Sequence, residues 1–353
     1  MVDFIKNIDL SKLTSIGLGG KAKLYCECDA KDKIAECIKY ADENKIPFFI
    51  LGGGSNTIFS DEGFDGLVIK INIKGIQVHN EFKGDVILNA GAGEDWDSLV
   101  KYCVKNGYAG LECLSGIPGS VGATPIQNVG AYGQEVKNVI TFVKTLDRKT
   151  LKSVMFSNED CLFAYRTSRF KTIDADKYIV TYVMFRLKKN GKPYIKYKEL
   201  ENYIGTKLDL NTLKEGSERL EAVRNAVFEI RKSKSMIIDS SDTDSCSCGS
   251  FFVNPVLTEG ELRNLKSVNS DKVIPVFPAG PYFKVSAAWL IENSGFKKGY
   301  IKNGVGISSK HTLALVNKGG TASDLLMLAD EISAKVYEKF GIKLEKETVL
   351  AGF

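Results

Sequence analysis

Between residues 29 and 44 the apolar positions Ile34, Cys37, Ile38 and Ala41 recur at the spacing of a helix face, and IPFFIL follows as a short strand closing on GGGSN. The order is helix, strand, loop. The runs LVIKIN and VILNAGAG read as further strands, TIFSDEGFDGLVI turning into the first of them. Trp96, Leu99, Val100, Cys103 and Val104 then mark an amphipathic helix closed by Gly107. After a long glycine-rich passage, residues 139–187 alternate as strands, most clearly in ITFVKTL and YIVTYVMFRL. A polar stretch at 205–216 reads as a boundary. Beyond it Leu220, Val223, Val227 and Ile230 line one helix, and Thr321 with Asp324 caps a long helix carrying Leu325, Leu328, Ile332 and Val336. The tail IKLEKETVLAGF returns to strand-like alternation. The fold class is therefore α+β, with two glycine-rich loops in the first half and a more helical second half.

Composition narrows the chemistry. With 353 residues, 44% hydrophobic and 26% charged, the chain fits about two or three globular units. No apolar stretch is long enough to span a bilayer, and MVDFIKNIDLSK lacks the features of a signal peptide, so a cytoplasmic protein is expected. The net charge of +5 comes from lysines spread along the chain, without the basic stripe of a nucleic-acid binder. An anionic small molecule is compatible with it. Eight cysteines without framework spacing are expected as reduced thiols, and two histidines, His79 and His311, argue against a histidine zinc site or a Ser-His-Asp hydrolase. Cys246 and Cys248 lack C-x-x-C spacing and have no histidine beside them, so no metal is expected there either.

The first loop, Gly52, Gly53, Gly54, Ser55 and Asn56, is neither a G-x-G-x-x-G fingerprint nor a Walker loop. What remains is a tight turn, the more ordinary reading, or a nest of N–H groups able to hold a pyrophosphate. The second loop shifts that balance. Its glycines, Gly116, Gly119, Gly122, Gly130 and Gly133, alternate with Ile117, Pro118, Val121, Pro125 and Ile126, which stiffen it, while Gln127 and Asn128 offer directed hydrogen bonds. A packed glycine loop lets backbone approach a flat or phosphorylated ligand.

Taken together, SGIPGSVGATPIQNVGAYGQE, LGGGSN, AYRTSRFK, GSFFVNP and LEKE closely resemble the UDP-N-acetylenolpyruvoylglucosamine reductase family, in order and over nearly the whole chain. The resemblance implies two FAD-binding subdomains of the vanillyl-alcohol-oxidase type, 1–73 and 74–215, and a substrate domain, 216–343, with the tail 344–353 packing back on the FAD part. It implies non-covalent FAD, NADPH as co-substrate, and reduction of UDP-N-acetylglucosamine enolpyruvate to UDP-N-acetylmuramate for peptidoglycan synthesis. A monomer without nucleic-acid or membrane partners is expected. The competing readings are another FAD oxidoreductase of this fold and a catalytically silent sugar-nucleotide-binding module.

Hydride addition to an enolpyruvyl ether builds negative charge on the adjacent carbon and its carboxylate, so a cation and a proton donor are needed. By resemblance Arg166 and Glu347 stabilise that charge and Ser250 donates the proton. FAD contacts fall on Gly52, Gly53, Gly54, Ser55, Asn56, Ile117, Pro118, Gly119, Gly122, Thr124, Asn128 and Gly130. Substrate contacts fall on Tyr132, Tyr165, Lys234 and Asn254, and on Tyr197 in the extra loop that marks the loop-bearing type. Three departures stand out: Ser15 replaces a common threonine, Val253 replaces a basic residue, and SMIIDSSDTDSCSC follows Lys234 where a proline turn is usual.

Overall fold

The computed structural model describes residues 2–353. Two compact units emerge, one of Met1–Ile8, Ala22–Gly54 and Asp65–Ile237, the other of Asp9–Lys21, Ser55–Phe64 and Ile238–Phe353.

In the first unit the periodicity around Ile34 becomes α1, Lys31–Glu43, which buries Ile34, Cys37, Ile38 and Ala41. These share a core with Leu67 and Ile69 of the strand Phe64–Ile71. That strand runs parallel to Phe48–Leu51, with Ile50 opposite Ile69, in a sheet ordered Ile5–Asp9, Lys21–Cys28, Phe64–Ile71, Phe48–Leu51. Leu51, fully buried, therefore delivers the chain straight into the first glycine loop.

The second sheet is antiparallel, ordered Ser153–Ser157, Ile140–Asp147, Tyr178–Lys189, Asp85–Gly91, Ile76–Phe82. Against its core sits α2, Trp96–Lys105, capped by the Asp95 carboxylate accepting from Ser98 N–H at 2.8 Å. The Trp96 backbone N–H donates to Gly119 O and its indole N–H to Leu114 O, both at 3.0 Å, so the helix start is tied to the second glycine loop. Sequence pattern alone does not announce α3, Lys198–Lys207, because only Leu200 and Ile204 of its ten residues are buried. They pack on Val223, Val227 and Ile230 of α4, Ser217–Ser233. A two-pronged ion pair from Arg224 to Asp97, at 2.6 and 2.7 Å, fixes α4 against α2 within this unit. The last passage of the chain from the first unit to the second follows Ile237.

In the second unit α7, Ala322–Phe340, packs on a sheet ordered Ser247–Ser250, Ala314–Asn317, Val305–Ile307, Ile301–Lys302, and α6, Ala287–Asn293, packs on α7, while α5, Glu259–Ser267, lies against the strands Val256–Leu257 and Tyr282–Val285 of a second sheet. The expected cap on α7 is a full capping box between Thr321 and Asp324. Asp61 adds to it, accepting from the N–H groups of Ala322 and Ser323 at 2.7 and 2.9 Å. The tail is strand only at Val349–Ala351, paired parallel with Thr57–Phe59. Residues 345–347 bond instead to the turn at 251–253, which is why the alternation of LEKE does not become a long ladder.

Asp244 anchors the chain entering Ser247–Ser250. Its carboxylate accepts from Ser308 Oγ, Ser309 N–H, Ser309 Oγ and Lys318 Nζ, at 2.9, 2.6, 2.8 and 2.5 Å. Burial acts to raise its pKa, but these donors outweigh it and hold the carboxyl well below the usual range. A depressed folded-state pKa contributes stability that is complete above the unfolded value near ~4 and is lost as pH falls toward the folded value. Asp244→Asn should therefore cost about 2 kcal/mol at neutral pH. Urea titrations should show this deficit shrinking as pH falls below ~4; a deficit independent of pH would contradict the assignment.

Candidate active site

Two groups of predicted residues form, one in each unit. In the first unit the glycine loops meet backbone to backbone. A Cβ on Gly53 would lie 2.4 Å from Gly119 Cα, and one on Gly52 would lie 2.9 Å from Ser120 Oγ. No side chain fits between these strands of main chain, so the loop must be glycine for reasons of space. Thr124 Oγ1 donates to Val121 O at 2.8 Å and is buried, which directs it into the loop's own framework. Asn128 is buried too. Its amide donates to Glu135 Oε2 and Ala164 O at 3.0 and 2.9 Å, and its Oδ1 accepts from Lys137 N–H at 3.1 Å. Ser168 Oγ donates to Ile126 O at 2.7 Å, a second stitch between the same segments.

Those stitches carry Arg166. It occupies a turn closed by the Ala164–Thr167 bridge, with φ of 53°, in the left-handed region that non-glycine residues rarely adopt. Asn128 and Tyr132 share that conformation, at φ 46° and 48°. Three such residues within two stitched segments are a concentration of backbone strain that the surrounding bonds must sustain. The Arg166 guanidinium lies 5.9 Å from the Tyr165 ring centroid.

Tyr132 and Tyr197 pack edge to face at 5.6 Å, and burial pushes the Tyr132 phenol up to about 12 despite the nearby Arg231 guanidinium. Tyr197 is 40% exposed. The chain before it is pinned by buried Glu112, which accepts from Tyr194 N–H at 2.8 Å and from Gln134 at 2.8 Å. Lys234 pairs with Glu199 at 2.6 Å, two residues after Tyr197. Sequence reading missed Arg231, Glu112 and Lys70. Lys70 Nζ donates to Gly52 O, beneath the first loop, and burial lowers its pKa. Its signal was a lone lysine inside the apolar run LVIKI.

The second unit joins Ser250, Glu347 and Asn56. Ser250 ends the strand Ser247–Ser250 after Gly249, whose φ is 71° and whose side-chain space is open, so conformation rather than crowding demands glycine there. Phe251 and Phe252, both essentially unexposed and 5.1 Å apart, anchor the turn. Glu347 N–H donates to Phe251 O at 2.8 Å, and Asn56 Nδ2 donates to Glu347 O at 3.1 Å. Ser15 donates to Ser247 O at 2.7 Å, steadying the strand that carries Ser250. Asn254 Oδ1 accepts from Ala287 N–H at 2.9 Å and thereby holds the start of α6. Cys248 is buried, its thiol pushed up to about 12, whereas Cys246 is exposed.

The family models divide along similar lines. Residues 22–150 match the FAD binding domain model, which takes in both glycine loops. Residues 241–351 match the model of the UDP-N-acetylenolpyruvoylglucosamine reductase C-terminal domain, which takes in Ser250 and Glu347. The UDP-N-acetylenolpyruvoylglucosamine reductase of Thermobifida fusca is 42% identical, over 99% of this chain and 98% of its own. This chain belongs to that reductase family. The Streptomyces coelicolor reductase is 41% identical, over 99% of this chain and 91% of its own. The crystal structure of the Thermus caldophilus reductase aligns over 99% of both chains with a TM-score of 0.64 at 23% identity, a likeness of fold. The expected α+β class with an FAD-binding part is accordingly borne out.

The residues present fit FAD. Glycine main chain packed this closely at Gly52 and Gly53 is the kind of backbone that can cradle a phosphorylated group, and Lys70 supplies positive charge at the same loop. Lys70→Met is expected to weaken FAD binding by about tenfold, a loss near 1.4 kcal/mol. Fluorescence titration of the apoprotein with FAD measures it, and unchanged affinity would remove Lys70 from the cradle.

Proposed function

We propose that this reductase converts UDP-N-acetylglucosamine enolpyruvate to UDP-N-acetylmuramate at the expense of NADPH, supplying a precursor of peptidoglycan. Family membership over essentially full length supports the reaction. The observation that carries the residue assignment is the hydrogen bond from Glu347 N–H to Phe251 O, which fixes Glu347 beside the turn bearing Ser250. FAD, held by the two glycine loops, would supply the hydride chemistry that links NADPH oxidation to reduction of the enolpyruvyl ether.

The chain's own groups manage the charge and the proton. Arg166 is a permanent cation whose planar guanidinium suits two-pronged contact with the substrate carboxylate. Its strained turn supports that role, since strain of this kind collects where a side chain must be aimed. Ser250 Oγ–H donates the proton to the carbon bearing the carboxylate. A serine hydroxyl is a weak acid, so it serves only against a strong base and in a fixed position, which Phe251 and Phe252 support. Glu347, with a buried side chain, assists by sharing a proton with the developing charge. Ser55 and Asn56 extend the FAD contacts of Gly52, Gly53, Gly54, Ile117, Pro118, Gly119, Gly122 and Gly130, while Thr124 and Asn128 hold that loop in shape. Tyr132, Tyr165, Tyr197, Lys234 and Asn254 face the sugar nucleotide, Lys234 meeting a phosphate in exchange for Glu199.

The enzyme works as a cytoplasmic monomer in this reading. No helix among the described residues is long and apolar enough to cross a membrane. Both co-substrates are phosphorylated metabolites that do not cross bilayers unaided. The decisive experiment is an absorbance spectrum of the purified protein followed by NADPH oxidation with and without the enolpyruvyl sugar nucleotide. Yellow protein with substrate-dependent NADPH consumption supports the proposal. Consumption with other acceptors alone, or colourless protein that binds UDP-sugar without turnover, would overturn it.

A further inference from the structure

Cys26 and Cys28 are two apart on the strand Lys21–Cys28, so both side chains leave the same face of the sheet. That face is covered by α1, whose buried stripe includes Cys37. The three sulfurs converge. Cys28 Sγ lies 3.6 Å from Cys37 Sγ and 3.9 Å from Cys26 Sγ, and all three sulfurs lie within 4.8 Å of one another. All three are free thiols, exposed by 2% or less. Buried cysteine usually serves as a small apolar filler, one residue among methyl groups. Here three thiols instead face one another across a strand and a helix.

We propose that Cys26, Cys28 and Cys37 form a binding site for one monovalent copper ion. A cation bonded to each sulfur at ~2.3 Å in a plane requires sulfurs ~4 Å apart, close to the spacing already present. Thiolate sulfur is a soft donor and selects copper(I) or zinc from the common ions. Zinc closes its structural sites with four ligands, whereas this group, among the described residues, contains three cysteines and no histidine or carboxylate. The site is thus short of a ligand for zinc and complete for three-coordinate copper(I).

Each thiol that binds releases its proton to solvent, copper remains monovalent, and no sulfur is oxidised. Because the cluster is sealed, the ion enters during folding or while α1 opens locally.

The test uses the full-length flavoprotein carrying Cys246→Ser, which removes the exposed thiol. Protein refolded anaerobically with copper(I) and desalted against a copper(I) chelator should retain one copper per chain, with three sulfur neighbours by X-ray absorption. Cys28→Ser should retain at least tenfold less. Should that variant fail to fold, pulsed alkylation of the parent in mild denaturant reads the same site, copper protecting Cys26, Cys28 and Cys37 but not Cys103 or Cys161. The proposal is overturned by copper retention unchanged in Cys28→Ser, by protection of other cysteines only, by a Cys28–Cys37 disulfide in place of bound metal, or by preferential retention of zinc.

Discussion

Ser250→Ala is expected to leave the protein yellow and reducible by NADPH at its normal rate, while reoxidation by the enolpyruvyl substrate slows by about 10²–10⁴-fold, the usual weight of a positioned proton donor. The reasoning separates the two half-reactions. Reduction by NADPH involves no carbon acid on the substrate, so it has no use for the serine hydroxyl. Addition to the enol ether leaves a carbanion that only a proton can trap, and alanine has none to give. The substitution is small, and the turn is held by Phe251, Phe252 and the Glu347 N–H bond to Phe251 O, so the fold should persist. Stopped-flow absorbance of the pre-reduced variant mixed with substrate measures the effect. Reoxidation within tenfold of the parent rate would transfer the donor role elsewhere.

The second large effect lies in the cradle. Gly53→Ala places a methyl group 2.4 Å from Gly119 Cα and 2.6 Å from Gly119 C, distances at which backbone must move. Unlike a clash with the tip of a flexible side chain, this one cannot be relieved by a new rotamer. The two loops must part, which would disturb the backbone proposed to hold the cofactor. FAD content per chain should fall by at least ~10-fold, equivalent to about 1.4 kcal/mol or more of binding. The flavin-to-protein absorbance ratio after purification reads it directly. Gly249→Ala offers the contrast, since nothing crowds that position and only the φ of 71° penalises alanine. Its cost should be about 1–2 kcal/mol of stability, with FAD retained.

Much of the framework is already legible along the chain. The spacing of Ile34, Cys37, Ile38 and Ala41 specifies α1, and the Thr321 to Asp324 spacing specifies the cap of α7. Both are local signals, set by helix periodicity and by bonds three residues apart. Resemblance in the glycine passages, in YRTSRF and in GSFF identified the family, which full-length relatives bear out. By contrast, α3 escapes notice because two buried residues in ten leave too weak a stripe. Lys70 and Glu112 escape because burial and hydrogen bonding, not residue type, single them out.

By itself, then, the sequence determined the buried stripes of α1, α2, α4 and α7, the cap of α7, which loops are glycine-rich and to which family the chain belongs, because those depend on neighbours within a few positions or on ordered motifs. Only the tertiary structure decided that Gly53 abuts Gly119, that Glu347 N–H bonds the carbonyl beside Ser250, and that Cys37 meets Cys26 and Cys28. Each of these joins residues distant in the chain, or on different kinds of element, through contacts a few ångströms long. Such contacts exist only after strands have paired and helices have covered them, and no local pattern encodes them.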